Sequence, residues 1–179
     1  MKELIKKHIL EHSATLGSIM MLDESIEKVA NLFIRCLKKG GTIFWCGNGG
    51  SASDSQHLAG ELVGRFKNER RPLKSIALTA DSAVMTCIVN DYGYEYIFSR
   101  QVEALGSEGD ILVGITTSGN SQNVINAFEV ASGCQIPYEI VGRRSGDIAE
   151  CYSDVTFAKE NMDWETHLNL SEMCEDTWK

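Results

Sequence analysis

The sequence predicts an α/β fold: a mostly parallel, five-stranded sheet layered between helices, preceded by two further helices. Three observations predict it. Five short apolar runs alternate with stretches of helical period, the order that yields parallel strands joined by right-handed helical crossovers. Two of those runs end in loops rich in glycine and hydroxyl side chains, as at the ligand-binding edge of such a sheet. Two helical patterns also precede the first strand, an addition to a plain α/β unit. With 179 residues, 43% hydrophobic and 23% charged, the chain has the composition of a soluble globular protein with one sizeable core.

The elements follow in order. Residues 3–21 carry Leu4, Ile5, Ile9, Leu16, Ile19 and Met20 at loose helical spacing, which predicts a first helix. Ile26, Val29, Ala30, Phe33 and Leu37 repeat at i, i+3, i+4 and i+7, so a second helix is expected over 25–38, stopped by Gly40 and Gly41. The apolar faces of both suit a subunit interface. The strands expected next are "TIFWC" (42–46), "SIALTA" (75–80), "DILVGIT" (110–116), "YEIVG" (138–142) and "DVTFA" (154–158). Helical patterns over 52–65, 82–89, 96–105 and 121–132 lie between them. No linker, repeat or low-complexity tract interrupts the chain. It reads as one domain over 1–179, with helices at 1–40 serving oligomerisation and an α/β core at 41–179.

Charge and cysteine usage exclude several functions. The net charge of −8 disfavours a nucleic-acid partner, which calls for a basic face. No run of about 18 apolar residues is present, so no membrane span is expected. The charged N-terminal stretch lacks the apolar core of a signal peptide, and the expected compartment is the cytoplasm. Six cysteines are scattered without a CxxC pair, which argues for reduced core residues and against structural zinc or a disulfide framework.

Chemistry concentrates in "CGNGGSASDSQHLAGELVGR", Cys46 to Arg65. Its glycines follow a strand and precede a helix, where free N–H groups and the dipole form either an anion or sugar cradle or an ordinary tight turn with Ser51 or Ser53 as N-cap. His57 and Glu61 stand at i and i+4 on one helix face. That pair either holds a divalent metal or exchanges a proton, or is simply solvated. Gly60 between them lowers helix propensity by about 1 kcal/mol relative to alanine, a cost more easily understood if something packs closely there. Arg65, four residues further on, is placed to salt-bridge Glu61. "TTSGNS", Thr116 to Ser121, offers hydroxyls and amides at a second helix start, a phosphate site without lysine or a turn capped by Ser121. "NDYGYE" (90–95) is a third polar loop, with Asn90 and Asp91 placed to reach the same cleft or to form an Asx turn.

The stretches "CGNGGSASDSQHLAGELVGRF", "ALTADSAV", "NDYGYEYIFSRQVEALG" and "GDILVGITTSGNSQNVINA" closely resemble the phosphoheptose isomerases, enzymes of the sugar isomerase (SIS) domain family. The likeness is strong over about residues 25–131. It implies a three-layer, flavodoxin-like SIS fold assembled as a homotetramer with active sites at subunit interfaces. It implies interconversion of sedoheptulose 7-phosphate and D-glycero-D-manno-heptose 7-phosphate, feeding heptose to surface polysaccharide. By the resemblance, Thr116, Thr117, Ser118 and Ser121 grip the phosphate; Asn48, Gly49, Gly50 and Ser51 line the sugar; Asn90 and Asp91 contact it. His57 and Glu61 match zinc-binding positions, and Glu61 also matches the catalytic carboxylate. A ketose–aldose shift suits such a set, because it needs a base to move a proton between C1 and C2 and an acid or metal to polarise the oxygen.

The C-terminal third departs from the family. "VGRRSGD" (141–147) replaces its "TGxxGG" loop, and "DWETHLNLSEMCEDTWK" (163–179) replaces the helix bearing "RIQExH" and a second histidine. Glu165 and His167 align with the family's glutamate and first histidine. Trp164 takes the place of its glutamine ligand, and Glu172 that of the acid/base histidine. His167 and Glu172 therefore stand as the remaining catalytic positions and the sources of a third zinc ligand. The altered tail also motivates two other readings. One is a non-catalytic SIS module that binds a sugar phosphate or acts as an adaptor of the replication-initiator-associating type. The other is an isomerase of a different sugar phosphate.

Overall fold

The computed structural model describes residues 1–133. Helix α1 (Lys2–Ser18) runs through a 3-10 turn, Ile19–Leu22, into α2 (Asp23–Lys38). Strand β1 (Ile43–Gly47), α3 (Gly50–Val63), β2 (Ser75–Ala77), α4 (Ser82–Tyr92), α5 (Ser99–Leu105), β3 (Ile111–Ile115) and α6 (Gln122–Gly133) complete the described elements. The expected strands 138–142 and 154–158 lie outside them, as do His167 and Glu172. Two expected elements are shorter than their apolar patterns. Strand 75–80 stops at Ala77, with the Leu78 N–H giving its last bond to the Trp45 carbonyl of β1. The pattern at 96–105 resolves into a 3-10 turn, Tyr94–Tyr96, and α5.

The sheet is parallel with order β2–β1–β3. β1 is central and every residue in it is buried, the pattern of a strand covered on both faces. Period-2 alternation then sorts its side chains. Phe44 and Cys46 join Leu78, Ile97, Phe98, Val102, Leu112, Val124, Ala127 and Ala131, the layer of α5 and α6. Ile43 and Trp45 face Cys36 and Ala59, the layer of α2 and α3. The Trp45 ring meets Phe33 edge-on at 5.7 Å, and its Nε1–H donates to Ser75 Oγ at 2.8 Å. The mouth opposite the ligand edge is closed by Asp110, whose buried carboxylate accepts from Thr42 N at 2.7 Å and Ser107 N at 2.9 Å.

Two of the cysteines serve this core as expected. Cys36 and Cys46 are buried and unbridged. Burial pushes the Cys46 thiol up to about 12; burial, and secondarily the Asp110 charge, raises Cys36. The thiolate is the reactive form, so neither should react with a neutral-pH thiol reagent in the folded protein and both should after denaturation. Peptide mass spectrometry checks this, and rapid native labelling of Cys46 would contradict the packing.

The N-terminal helices are different. α1 buries no residue, and Leu4, Ile5, Ile9, Leu16, Met20, Ile26 and Val29 are all exposed. No helix among the described residues is long and apolar enough to cross a membrane.

Candidate functional site

The chain runs from β1 to β2 on one side and then crosses back over β1 to reach β3 on the other. The loops after β1 and β3 therefore leave the sheet at a switch in strand order, where open parallel sheets form a crevice. Gly47 pairs with Ile115 at the ends of these strands, so Asn48 and Thr116 emerge side by side. Gly49, at φ +55°, makes the turn into α3, a backbone state that side-chain-bearing residues rarely adopt. Gly49, not Ser51 or Ser53, is the N-cap, and no side chain caps the helix. The carbonyls of Asn48 and Gly49 are taken up by the N–H groups of Ser51 and Ala52, at 3.0 and 3.1 Å.

Asn48 is the junction of the site. Its amide forms a reciprocal pair with Asn123 in the first turn of α6: Asn48 Nδ2 donates to Asn123 Oδ1 at 3.0 Å, and Asn123 Nδ2 donates to Asn48 Oδ1 at 2.8 Å. The Tyr94 hydroxyl donates to the same Asn48 Oδ1 at 2.8 Å. Thus the glycine loop, the 3-10 turn after α4 and the start of α6 meet at one side chain.

The loop from Thr116 to Ser121 is curled on its own hydroxyls. Thr116 Oγ1 accepts from Gly119 N and lies 3.2 Å from Ser121 Oγ. Ser118 Oγ accepts from Asn120 N at 3.1 Å, and Thr117 is exposed. Gly119 sits at φ +71°. Neither this loop nor the glycine loop carries a lysine or arginine, so an anion here would meet neutral donors and the N-terminus of α6.

Asn90 and Asp91 are not in a loop. They form the last turn of α4, which ends at Gly93 with φ +102°. Asp91 accepts from Asn90 Nδ2 at 2.7 Å and from the Cys87 thiol at 3.7 Å. The polar run "NDYG" reads as a loop because only its glycine terminates the helix; the other residues continue it.

His57 and Glu61 share one face of α3, with His57 Nε2 3.7 Å from Glu61 Oε1. Their environments differ. The His57 side chain is 74% exposed and that of Glu61 is 30% exposed, and Glu61 Oε2 is buried without a hydrogen-bond partner among the described residues. An orphaned buried acceptor costs about 1–3 kcal/mol, more when charged, so this oxygen is set for a partner. Arg65 does not supply one; it pairs with Glu69 at 3.5 Å. Arg70 instead fixes the main chain of this helix end, donating to the carbonyls of Glu61 at 2.6 Å and Leu62 at 2.9 Å. Nor does Gly60 sit against a neighbour among the described residues: a Cβ there would meet nothing within 4 Å. His57 and Glu61 are types that ligate a metal, though among the described residues no three His, Cys, Asp or Glu gather around one point. At 1.5 Å rise per residue, Glu61 stands about 16 Å along α3 from Gly50.

The structure thus joins Asn48 to the phosphate-type loop's helix and places Thr116 beside Ser121, while His57 and Glu61 occupy the far part of α3. Tyr94 and Asn123 were not anticipated. Their signal in the sequence is slight, because an asparagine and a tyrosine near helix ends read as a turn residue and a packing residue.

Comparison with known proteins is consistent in its direction. A family model described as the SIS domain matches residues 11–137. A phosphoheptose isomerase from Aliarcobacter butzleri is 50% identical over 153 residues, 84% of this chain and 80% of that protein. One from Campylobacter jejuni is 53% identical over 131 residues, 73% of this chain and 70% of that protein. The solved structure of phosphoheptose isomerase GmhA from Neisseria gonorrhoeae superposes with a TM-score of 0.70 at 43% identity, covering 75% of this chain and 71% of that one.

Proposed function

The chain belongs to the phosphoheptose isomerase family of SIS-domain proteins, and we propose that it converts sedoheptulose 7-phosphate to D-glycero-D-manno-heptose 7-phosphate through an enediol, for the heptose of surface polysaccharide. The observation that carries this reading is the Asn48–Asn123 pair across the crevice between β1 and β3, which holds the glycine loop beside the Thr116–Ser121 loop. In this reading Thr116, Thr117, Ser118 and Ser121, with the N-terminal N–H groups of α6, receive the phosphate. Asn48, Gly49, Gly50 and Ser51 line the sugar, and Asn90 and Asp91 contact it from α4.

Glu61 is the base. Its carboxylate takes a proton from C1 of the ketose and returns it to C2 of the enediol, while a hydroxyl proton passes from O1 to O2. The net change is a shift of the carbonyl from C2 to C1 with no outside oxidant. By the resemblance, the oxygen-to-oxygen transfer falls to the positions of His167 and Glu172, which lie outside the described residues.

Zinc fits the donors present: an imidazole nitrogen and a carboxylate one helical turn apart, with Glu61 Oε2 buried and unpartnered. When bound, zinc polarises a sugar oxygen. His57 and Glu61 would supply two of the three ligands a catalytic zinc takes from protein; by the resemblance the third is sought at His167 or Glu172, which lie outside the described residues. The exposed apolar faces of α1 and α2 and the separation along α3 between the glycine loop and Glu61 support a homotetramer, in which a second copy brings Glu61 to the crevice of the first. Phosphorylated sugars are ionised and do not cross an apolar layer unaided, which supports a cytoplasmic location.

The test is direct. Purified protein incubated with sedoheptulose 7-phosphate should form the aldose, more slowly after chelation and at full rate once zinc is restored. No conversion with or without zinc rejects the proposal.

A further inference from the structure

The amide of Asn48 is held by more partners than a turn requires. Its carbonyl oxygen accepts two hydrogen bonds, from Asn123 Nδ2 at 2.8 Å and from the Tyr94 hydroxyl at 2.8 Å. A carbonyl oxygen has two lone pairs, so this acceptor is filled. Its nitrogen donates one hydrogen to Asn123 Oδ1 at 3.0 Å; the second meets no partner among the described residues. Asn123 is 2% exposed and made rigid by burial in the first turn of α6. Tyr94 is held by the short turn that follows Gly93. The three residues come from three separate segments, and each bond is well within hydrogen-bonding range.

We infer that Asn123 and Tyr94 are positioning residues that hold the Asn48 amide in one place and plane, with its one unpaired polar position presented to the bound sugar phosphate. An unclamped asparagine can turn its amide over and offer either a donor or an acceptor. The clamp holds the plane of that amide, because the reciprocal pair with Asn123 and the Tyr94 hydroxyl bind it on two sides. A polar group held in place before the ligand arrives also avoids reorganisation during the reaction. The same clamp ties the sugar loop to the helix whose N-terminus faces the phosphate, so the two halves of the ligand are read at a fixed separation.

This inference rests on the isomerase reading of the site, and its test separates the two. Tyr94 is exposed, and Tyr94→Phe removes one hydrogen bond without opening the core. It should lower kcat/KM for sedoheptulose 7-phosphate about three- to tenfold, the size of one hydrogen bond. If Tyr94 acts through Asn48, the same change made in an Asn48→Ala background should have no further effect. Additive losses, or wild-type kinetics in Tyr94→Phe, overturn the clamp. Asn123→Ala should show the same coupling; because Asn123 is buried, the tyrosine variant carries the test should that protein not fold. A second measurement is independent of turnover. The side-chain amide NMR signals of Asn48 and Asn123 should both move on Tyr94→Phe, and an unmoved Asn48 signal removes the clamp whatever the activity. Coupled signals in a wild-type protein that converts no sugar would instead strike the isomerase reading and leave the clamp standing.

Discussion

Glu61→Gln should reduce the rate of ketose–aldose conversion by about 10²–10⁴-fold, the range general-base catalysis contributes, while leaving the fold intact. The side chains have the same shape, so the packing of α3 is unchanged. What is lost is the ability to accept a proton from carbon. The buried, partnerless Oε2 makes the case sharper. An oxygen placed to serve α3 would have an N–H within reach, as the Glu61 main-chain carbonyl has in Arg70. This one has none among the described residues, which fits the proposed role of Glu61 as base. In the variant an amide replaces that carboxylate and the uncompensated charge disappears. Thermal stability of the ligand-free protein should therefore hold or rise as activity falls. The two readouts are a rate assay and a melting curve on the same preparation. A variant that keeps more than about a tenth of the rate removes Glu61 from the role of base. A variant that loses rate and stability together makes Glu61 a structural residue.

The pair His57–Glu61 was legible because helical spacing alone puts i and i+4 on one face. The inner layer was legible for a similar reason. Ile43, Phe44, Trp45 and Cys46 form an unbroken apolar run after two glycines, which only a strand buried on both faces tolerates. Less visible were features set by long-range contacts. Asn123 pairs with a residue 75 positions away, and nothing local distinguishes it from Asn120 or Asn126. Asn90 and Asp91 suggested a loop by residue type, yet α4 carries on through them until Gly93, because the buried Ile88 and the apolar residues before it hold the helix in place. The expected N-caps failed for a related reason. Ser51 and Ser53 have the right chemistry, but Gly49 at positive φ starts the helix two residues earlier, and backbone geometry outranked side-chain preference. Gly60 misled in the opposite direction: its cost suggested a close neighbour, and among the described residues there is none. The exposed apolar faces of α1 and α2 were visible in the sequence as helices with no core to serve.

Gly47→Ala should damage both stability and substrate binding, for a reason that joins fold to site. Gly47 ends β1 opposite Ile115 of β3. A Cβ there would lie 2.8 Å from the Ile115 carbonyl oxygen, 2.8 Å from Ser51 Cβ and 2.9 Å from the Ser51 carbonyl oxygen. Backbone is on two of the three sides, so no side chain can swing away, and a strand or α3 must move. Overpacking of this kind costs about 1–3 kcal/mol, a fall of roughly 2–4 °C in Tm per kcal/mol for a chain of this length. The displacement has a direction. Pushing α3 and β3 apart widens the crevice and pulls Asn48 from Asn123, so KM for the sugar phosphate should rise by more than kcat falls. Gly114→Ala is the control. Its added Cβ would meet the side chains of Val124 and Phe128, at 2.6 and 2.7 Å, on the α6 face of β3. It should lower Tm comparably but leave the ratio of KM to kcat closer to wild type, because the side chains it strikes can shift within the core while the two loops keep their spacing. If Gly47→Ala matches the wild type in both Tm and KM, β1, β3 and α3 do not need to approach so closely, and the crevice between the strand ends is not what sets the ligand's place.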